Sequence, residues 1–179
     1  MYNNTQVGIA LGGYDKRRGS TQNCVIVNNT FYNNYTQRDW GAELYVQYDT
    51  RYNIIKNNIF FANDARRFIE SWSTVMTANV VDHNLYFAVS GGSNGTWIWK
   101  NVTYTTFAAY QTASGNDANG FVGLDPLLVN PTSGDLHISA VSPAINAGEN
   151  LPSAQMGTMD FDGNPRIIGG TVDLGADER

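Results

Sequence analysis

The chain has 179 residues and a mass of 19.7 kDa, the length of one domain with room for a sizeable core. Hydrophobic residues make up 42%, aromatics 12% and charged residues only 15%, which excludes a disordered chain, a coiled coil and a collagen. The net charge of −5 gives no electrostatic reason to bind nucleic acid or an anionic membrane, so neither is an expected partner. No apolar run approaches the ~18 residues of a membrane span.

Asparagine is in excess, at 21 residues against 18 glycines. It suits turns, where it tolerates left-handed backbone and bonds nearby amides. In chain order, Tyr2-Asn3-Asn4 opens as a partial copy of a unit that returns as Tyr32-Asn33-Asn34. The full unit covers residues 24–32, 53–61 and 79–87, at spacings of 29 and 26 residues. After an opening Cys24, Asn53 or Asn79 come two β-branched residues, then a variable residue and a polar pair ending in Asn29, Asn58 or Asn84. An apolar residue or Thr follows, then two aromatics: Phe31-Tyr32, Phe60-Phe61 or Tyr86-Phe87. Strand-rich repeats of this irregular length predict a parallel β-helix, each repeat one coil of about three short strands, stacked ~4.8 Å apart. Equivalent residues then stack. Asn29, Asn58 and Asn84 are expected as a buried amide ladder, with Phe31, Phe60 and Tyr86 as an inward aromatic stack.

The other strands fall between the units, at residues 8–12, 42–47 and 67–72. Between Gly12 and Cys24 lies a polar excursion with the only dense charge cluster, Lys16-Arg17-Arg18. Residues 1–90 read as β-helix coils. Residues 91–179 read as an irregular end piece covering the last coil, with a loop at 91–95 and a strand at Trp97–Trp99. A short helix capped by Thr105 or Thr106 runs to about Ser114 and stops at Gly115. Further strands are expected at 127–129, 136–138 and 172–174. The predicted class is all-β: a right-handed parallel β-helix of about three to four coils, with this end piece containing one short helix.

Five C-terminal segments resemble the closing segments of right-handed parallel β-helix proteins of the pectate-lyase-like superfamily, of the choice-of-anchor or β-helix repeat type. They are Gly123-Leu124-Asp125-Pro126, 134–138, 142–148, Asp162-Gly163-Asn164-Pro165-Arg166 and 172–176. Residues 8–15, 18–21 and 28–30 resemble the last coils of such proteins. The resemblance implies a bacterial, extracellular or cell-surface protein. It leaves activity open, because the superfamily holds polysaccharide lyases, glycoside hydrolases, adhesins and proteins of no known activity. Met1-Tyr2-Asn3-Asn4 does not read as a secretory leader, so a cytoplasmic location stays open.

Candidate site residues follow from chemistry. A lyase acting on uronic acids needs cations to stabilise the enolate and a basic residue to take the α-proton. Lys16 and Arg18 are candidates for that work, with Arg17 and Tyr14 as substrate-binding neighbours; a solvated turn is the alternative. If Leu44 and Val46 point inward, Glu43, Tyr45 and Gln47 share the outer face. Arg67, Ile69 and Ser71 then lie beside them, and Glu43 with Arg67 makes a cross-coil ion pair. A slipped register instead brings Glu43 towards Glu70, as a glycosidase carboxylate pair. Glu43 is the third catalytic candidate; Tyr45, Gln47 and Arg67 complete the binding set.

Asp160, Asp162 and Asn164 lack EF-hand spacing, so calcium is possible but unsupported, and no cofactor is expected. His83 reads as structural and His137 as unpartnered, so no metal ligands are assigned. Lone Cys24 forms no intrachain disulfide. Trp40, Trp72, Trp97 and Trp99 are either core cover or sugar platforms.

Two functions follow: a carbohydrate-associated β-helix that binds or degrades an extended polysaccharide, acidic ones included, or a non-catalytic, self-associating module. Met1 reads as entering in mid-coil, which would expose the edges of Ile9, Leu11, Ile26 and Phe31. The expected partner, besides a polysaccharide, is therefore a second copy docked through the N-terminal coil.

Overall fold

The polar pair of each repeat turns the chain. In a computed structural model describing residues 1–179, Asn28, Asn57 and His83 sit at φ 53°, 56° and 53°. This is the left-handed region, which Asn and His enter more readily than most side chains. One left-handed residue bends the backbone between two short strands, and the Asn after it holds the bend.

The first coil carries β1 (Ile9–Leu11), β2 (Thr21–Gln22), β3 (Val25–Val27) and β4 (Thr30–Tyr32). The second carries β5 (Leu44–Val46), β6 (Thr50–Arg51), β7 (Ile54–Lys56) and β8 (Ile59–Ala62). The third carries β9 (Arg67–Glu70), β10 (Met76–Thr77), β11 (Val80–Asp82) and β12 (Leu85–Ala88). Each strand pairs in parallel with its equivalent in the next coil, giving the stacks β1-β5-β9, β2-β6-β10, β3-β7-β11 and β4-β8-β12. The result is a predominantly β, β-helix-like solenoid with four strands per coil rather than three. The extra strand arises because a second left-handed residue (Asn23, Tyr52 or Ala78) bends each coil once more.

The amide ladder is present and directional. Asn29 Nδ2 donates to Asn58 Oδ1 at 3.1 Å, and Asn58 Nδ2 to Asn84 Oδ1 at 3.0 Å. The same oxygens accept the backbone N–H of the preceding rung, at 3.0 and 3.1 Å. Every Nδ2 also donates to a backbone carbonyl, of Val27, Ile26 or Ile55. A parallel ladder runs at the other bend, where Asn53 Nδ2 donates to Asn79 Oδ1 at 2.9 Å. Beside the first ladder, Phe31 and Phe60 stack at 4.9 Å and Phe60 and Tyr86 at 5.3 Å, all fully buried.

The second aromatic of each pair points the other way. Tyr32, Phe61 and Phe87 form an outer cluster with Ile59 and Leu85. Strands β4, β8 and β12 are therefore apolar on both faces and need cover on both sides. The C-terminal segment supplies it: Ile138, Ala144 and Leu174 complete the cluster. Gly175 reaches so close that a Cβ there would lie 2.7 Å from Ile59 and 2.8 Å from Thr30.

The covering of the last coil falls to a different segment. β13 (Asn94–Trp99) pairs with β9, and β14 (Val102–Thr106) pairs back on β13. Helix α1 (Phe107–Ser114) brings Phe107 and Tyr110 onto Trp97. Thr106 caps its start and Gly115, at φ 73°, ends it. β15 (Phe121–Val122) then extends β12. The rest includes β16 (Leu128–Asn130), paired antiparallel with β17 (Asp135–Ile138), and a helical turn at Ser153–Met156. It lies along the flank instead of over the end. Residues 172–174 are buried there without forming the expected strand.

At the N-terminal end, Leu11, Ile26 and Phe31 are buried rather than exposed. Residues 1–5 pair with the first coil: Tyr32 N donates to Met1 O at 2.9 Å and Gln37 N to Thr5 O at 2.9 Å. No helix is long and apolar enough to cross a membrane.

Candidate functional site

An open cleft of about 300 Å³ lies on the outer face of β5 and the segment that follows β9, lined by Tyr14, Tyr45, Val46, Gln47, Tyr48, Trp72 and Ser73. Its floor follows from strand parity: Leu44 and Val46 enter the core, so Tyr45 and Gln47 face outward. Trp40, from the preceding turn, leans on Tyr45 with ring centres 5.6 Å apart. Trp40 and Trp72 are the exposed tryptophans, whereas Trp97 and Trp99 belong to the core.

The excursion after β1 forms one wall. Gly13 and Tyr48 exchange two backbone hydrogen bonds of 2.9 Å, and a Cβ on Gly13 would lie 2.3 Å from Gly19 O. The loop therefore folds back tightly and lifts Tyr14 into solvent. Arg18 lies 4.7 Å from the Tyr14 ring centre and pairs with Asp15 at 3.5 Å. Lys16 and Arg17 line an adjoining concavity of about 400 Å³ with Asp15 and Tyr48. Arg18 is thus the engaged cation of the three.

Register decides the carboxylates. Leu44 lies beside Ile69 and Tyr45 beside Glu70, so of the two registers left open by the sequence it is the slipped one that forms, by one residue from a pairing of Tyr45 with Ile69. Glu70, 2% exposed, pairs with Arg67 and accepts from Trp72 Nε1 at 2.8 Å. Arg67 also lies 5.2 Å from the Tyr35 ring centre. Burial raises the Tyr45 hydroxyl above its ordinary value, with a further push from the Glu70 charge.

Glu43 is not on this face. It is fully buried, its Oε1 accepting from Asn34 N at 2.9 Å and its Oε2 from Asn34 Nδ2 at 2.6 Å. Burial lifts its carboxyl to about 8 in spite of these bonds. Parity fails here because β5 starts at Leu44, and Gly41, at φ 110°, bends the backbone just before it. Glu43 therefore makes neither the cross-coil pair with Arg67 nor an approach to Glu70; the two glutamates share no partner.

Two groups of histidine with carboxylates lie elsewhere. His83 Nδ1 sits 3.2 Å from Asp82 and 3.3 Å from Glu149, and Lys56 also holds Glu149, at 2.6 Å. His137 does have partners: Asp135 at 2.5 Å and Asp162 at 2.7 Å. Nothing in the residue spacing announced Asp162, which is 25 positions away. In the Asp160–Asn164 string, Asp160 Oδ1 accepts the N–H of Asp162 and of Asn164, at 2.9 and 2.8 Å, as a polar turn does. Tyr48 and Ser73 are polar lining residues that sequence reasoning missed; they fall just outside β5 and β9, where parity no longer applies.

Fold and cleft together define a β-helix-like solenoid with an aromatic surface on one stack. No protein-family model and no solved structure matches the chain. It is 40% identical over 144 residues, 80% of its own length, to the uncharacterized protein YwoF of Bacillus subtilis (strain 168). The chain spans about 30% of the length of that relative.

Proposed function

We propose that the solenoid is a right-handed parallel β-helix of the pectate-lyase-like type and that its β1-β5-β9 face binds an extended polysaccharide without cleaving it. The observation that carries this reading is the open cleft in which Tyr14, Tyr45, Tyr48 and Trp72 alternate with Gln47 and Ser73. Sugar rings present C–H faces that pack on aromatic rings, and hydroxyls that bond amides and hydroxyls. A shallow cleft suits a polymer that lies across the coils.

Binding is favoured over cleavage by the state of the carboxylates. Glu70 is held by Arg67 and Trp72, and Glu43 lies inside the solenoid. Lys16 and Arg17 extend the surface with positive charge at one end, which favours a polymer carrying uronic acids. The test is retention of the protein in gels containing neutral or uronate polysaccharides, with a parallel search for new unsaturated or reducing ends. Retention without new ends supports the reading; new ends would make the protein an enzyme.

Self-association is the second reading. It rests on β1 and β3, each of which pairs on one side only, and on an apolar cleft of about 270 Å³ nearby that includes Met1, Tyr2, Leu136 and Phe161. Sedimentation at micromolar concentration distinguishes a dimer from a monomer.

A further inference from the structure

The C-terminal flank holds a cluster that the polysaccharide reading does not use. Asp135 and His137 are two residues apart on β17, so their side chains share a face. The turn after Asp160 brings Asp162 to the far side of the imidazole. Asp177 comes from the chain end, with its side chain only 4% exposed. Its Oδ2 accepts from Ile138 N at 2.9 Å. Its Oδ1 receives no hydrogen bond, although the residue lines the same cleft of about 400 Å³ as Asp135, His137 and Asp162.

One ligand atom each from His137, Asp162 and Asp177 lies within 4.8 Å of the others. A metal bonded tetrahedrally at ~2.0–2.2 Å holds its ligand atoms roughly 3.4 Å apart, so these side chains would draw in by about an ångström on binding. Asp135 accepts from Nδ1, which leaves Nε2 as the coordinating nitrogen; a carboxylate behind the histidine is the usual orienting partner at such centres. The charge is also unbalanced. Asp135, Asp162 and Asp177 surround one imidazole and Glu178 lines the same cleft, against Arg179, 3.5 Å from Asp177, and buried Arg166, which faces Asp177 and Glu178 but also Asp160 and Asp173.

We propose that His137 Nε2, Asp162 and Asp177 bind a divalent transition metal of the zinc type, with Asp135 orienting the imidazole. One nitrogen and two carboxylates suit zinc or manganese better than calcium, which takes six to eight oxygens. The metal takes the place of the proton on Nε2, and water completes its coordination. The bound ion would tie β17, the Asp160–Asn164 turn and the chain end together. None of its ligands lines the aromatic cleft, so this site and polysaccharide binding stand or fall separately.

The experiment is calorimetric titration of zinc into chelator-stripped protein, repeated with calcium. Cobalt serves as a visible-absorption probe of the ligand set. The expected result is one saturable zinc site and a raised unfolding temperature. Asp162→Asn and His137→Gln, both at partly exposed positions, should each weaken binding at least tenfold, and Asp135→Asn by about 10–100-fold. His83→Gln should leave binding unchanged. Absence of saturable zinc binding would overturn the proposal, as would wild-type affinity in Asp162→Asn and His137→Gln. Calcium bound more tightly than zinc would overturn the assigned class of metal.

Discussion

Asn84 donates its side-chain amide to Asp117 Oδ1 at 2.9 Å, and there the ladder ends, because a carboxylate has no amide to pass on. Asp117 Oδ2 accepts from Tyr86 at 2.7 Å and from Tyr110 at 3.4 Å. One fully buried residue thus closes the amide ladder and anchors both the aromatic stack and the helix that covers the last coil.

Breaking the ladder in mid-run should be costly. Asn58→Ala removes the oxygen that accepts from both Asn29 N and Asn29 Nδ2 and takes one of two donors from Asn84 Oδ1, whose bond from the backbone N–H of residue 58 remains. The expected loss is about 1–3 kcal/mol of unfolding free energy. A midpoint within error of wild type in urea would mean that the ladder contributes nothing net.

The two buried carboxyls give the fold a pH dependence of predictable sign. Burial raises Asp117 from 3.8 to about 6 and Glu43 from 4.5 to about 8. A folded value above the unfolded one means that the folded state binds protons more tightly. Their contribution is fully present below the unfolded values and is lost as pH rises through the folded ones. Stability should therefore fall between about pH 4 and 6 through Asp117, and up to about 8 through Glu43. Urea unfolding across this range tests it, and Glu43→Gln should flatten the upper part. A stability that climbs steadily towards pH 8 would contradict the assignment.

The outer aromatics predict a selective defect. Phe61→Ala removes the centre of the flank contact, between Tyr32 and Phe87. A loss of about 3–5 kcal/mol is expected for a buried Phe. Early proteolytic cleavage should fall in residues 139–170, where the cover would lift first. Cleavage confined to residues 12–20 would show that the flank does not depend on Phe61.

The coil core was legible because its chemistry recurs. A ladder needs Asn at every rung, and an inward stack needs a ring at every coil, so Asn29, Asn58, Asn84, Phe31, Phe60 and Tyr86 stand out without a structure. The helix was legible from Thr106 and Gly115. The outward aromatics also recur, and their need for cover was a signal left unread. Glu43 was misplaced because parity was extended across the bend at Gly41. The β5–β9 register stayed open between two alternatives because the corner turns of successive coils differ in length. The flank has no period at all; Pro and Gly turns hold it in place, and His137 meets Asp162 only through the folded chain.

The central functional claim is that the cleft on β5 and the segment after β9 holds a polysaccharide. Its most direct test is the affinity of wild type and of the Tyr14→Ala, Trp72→Ala double variant for the best-retained polysaccharide, with folding checked by circular dichroism. The account predicts at least a tenfold loss, since aromatic stacking contributes about 1 kcal/mol or more per ring. Equal affinity in a folded double variant would contradict it.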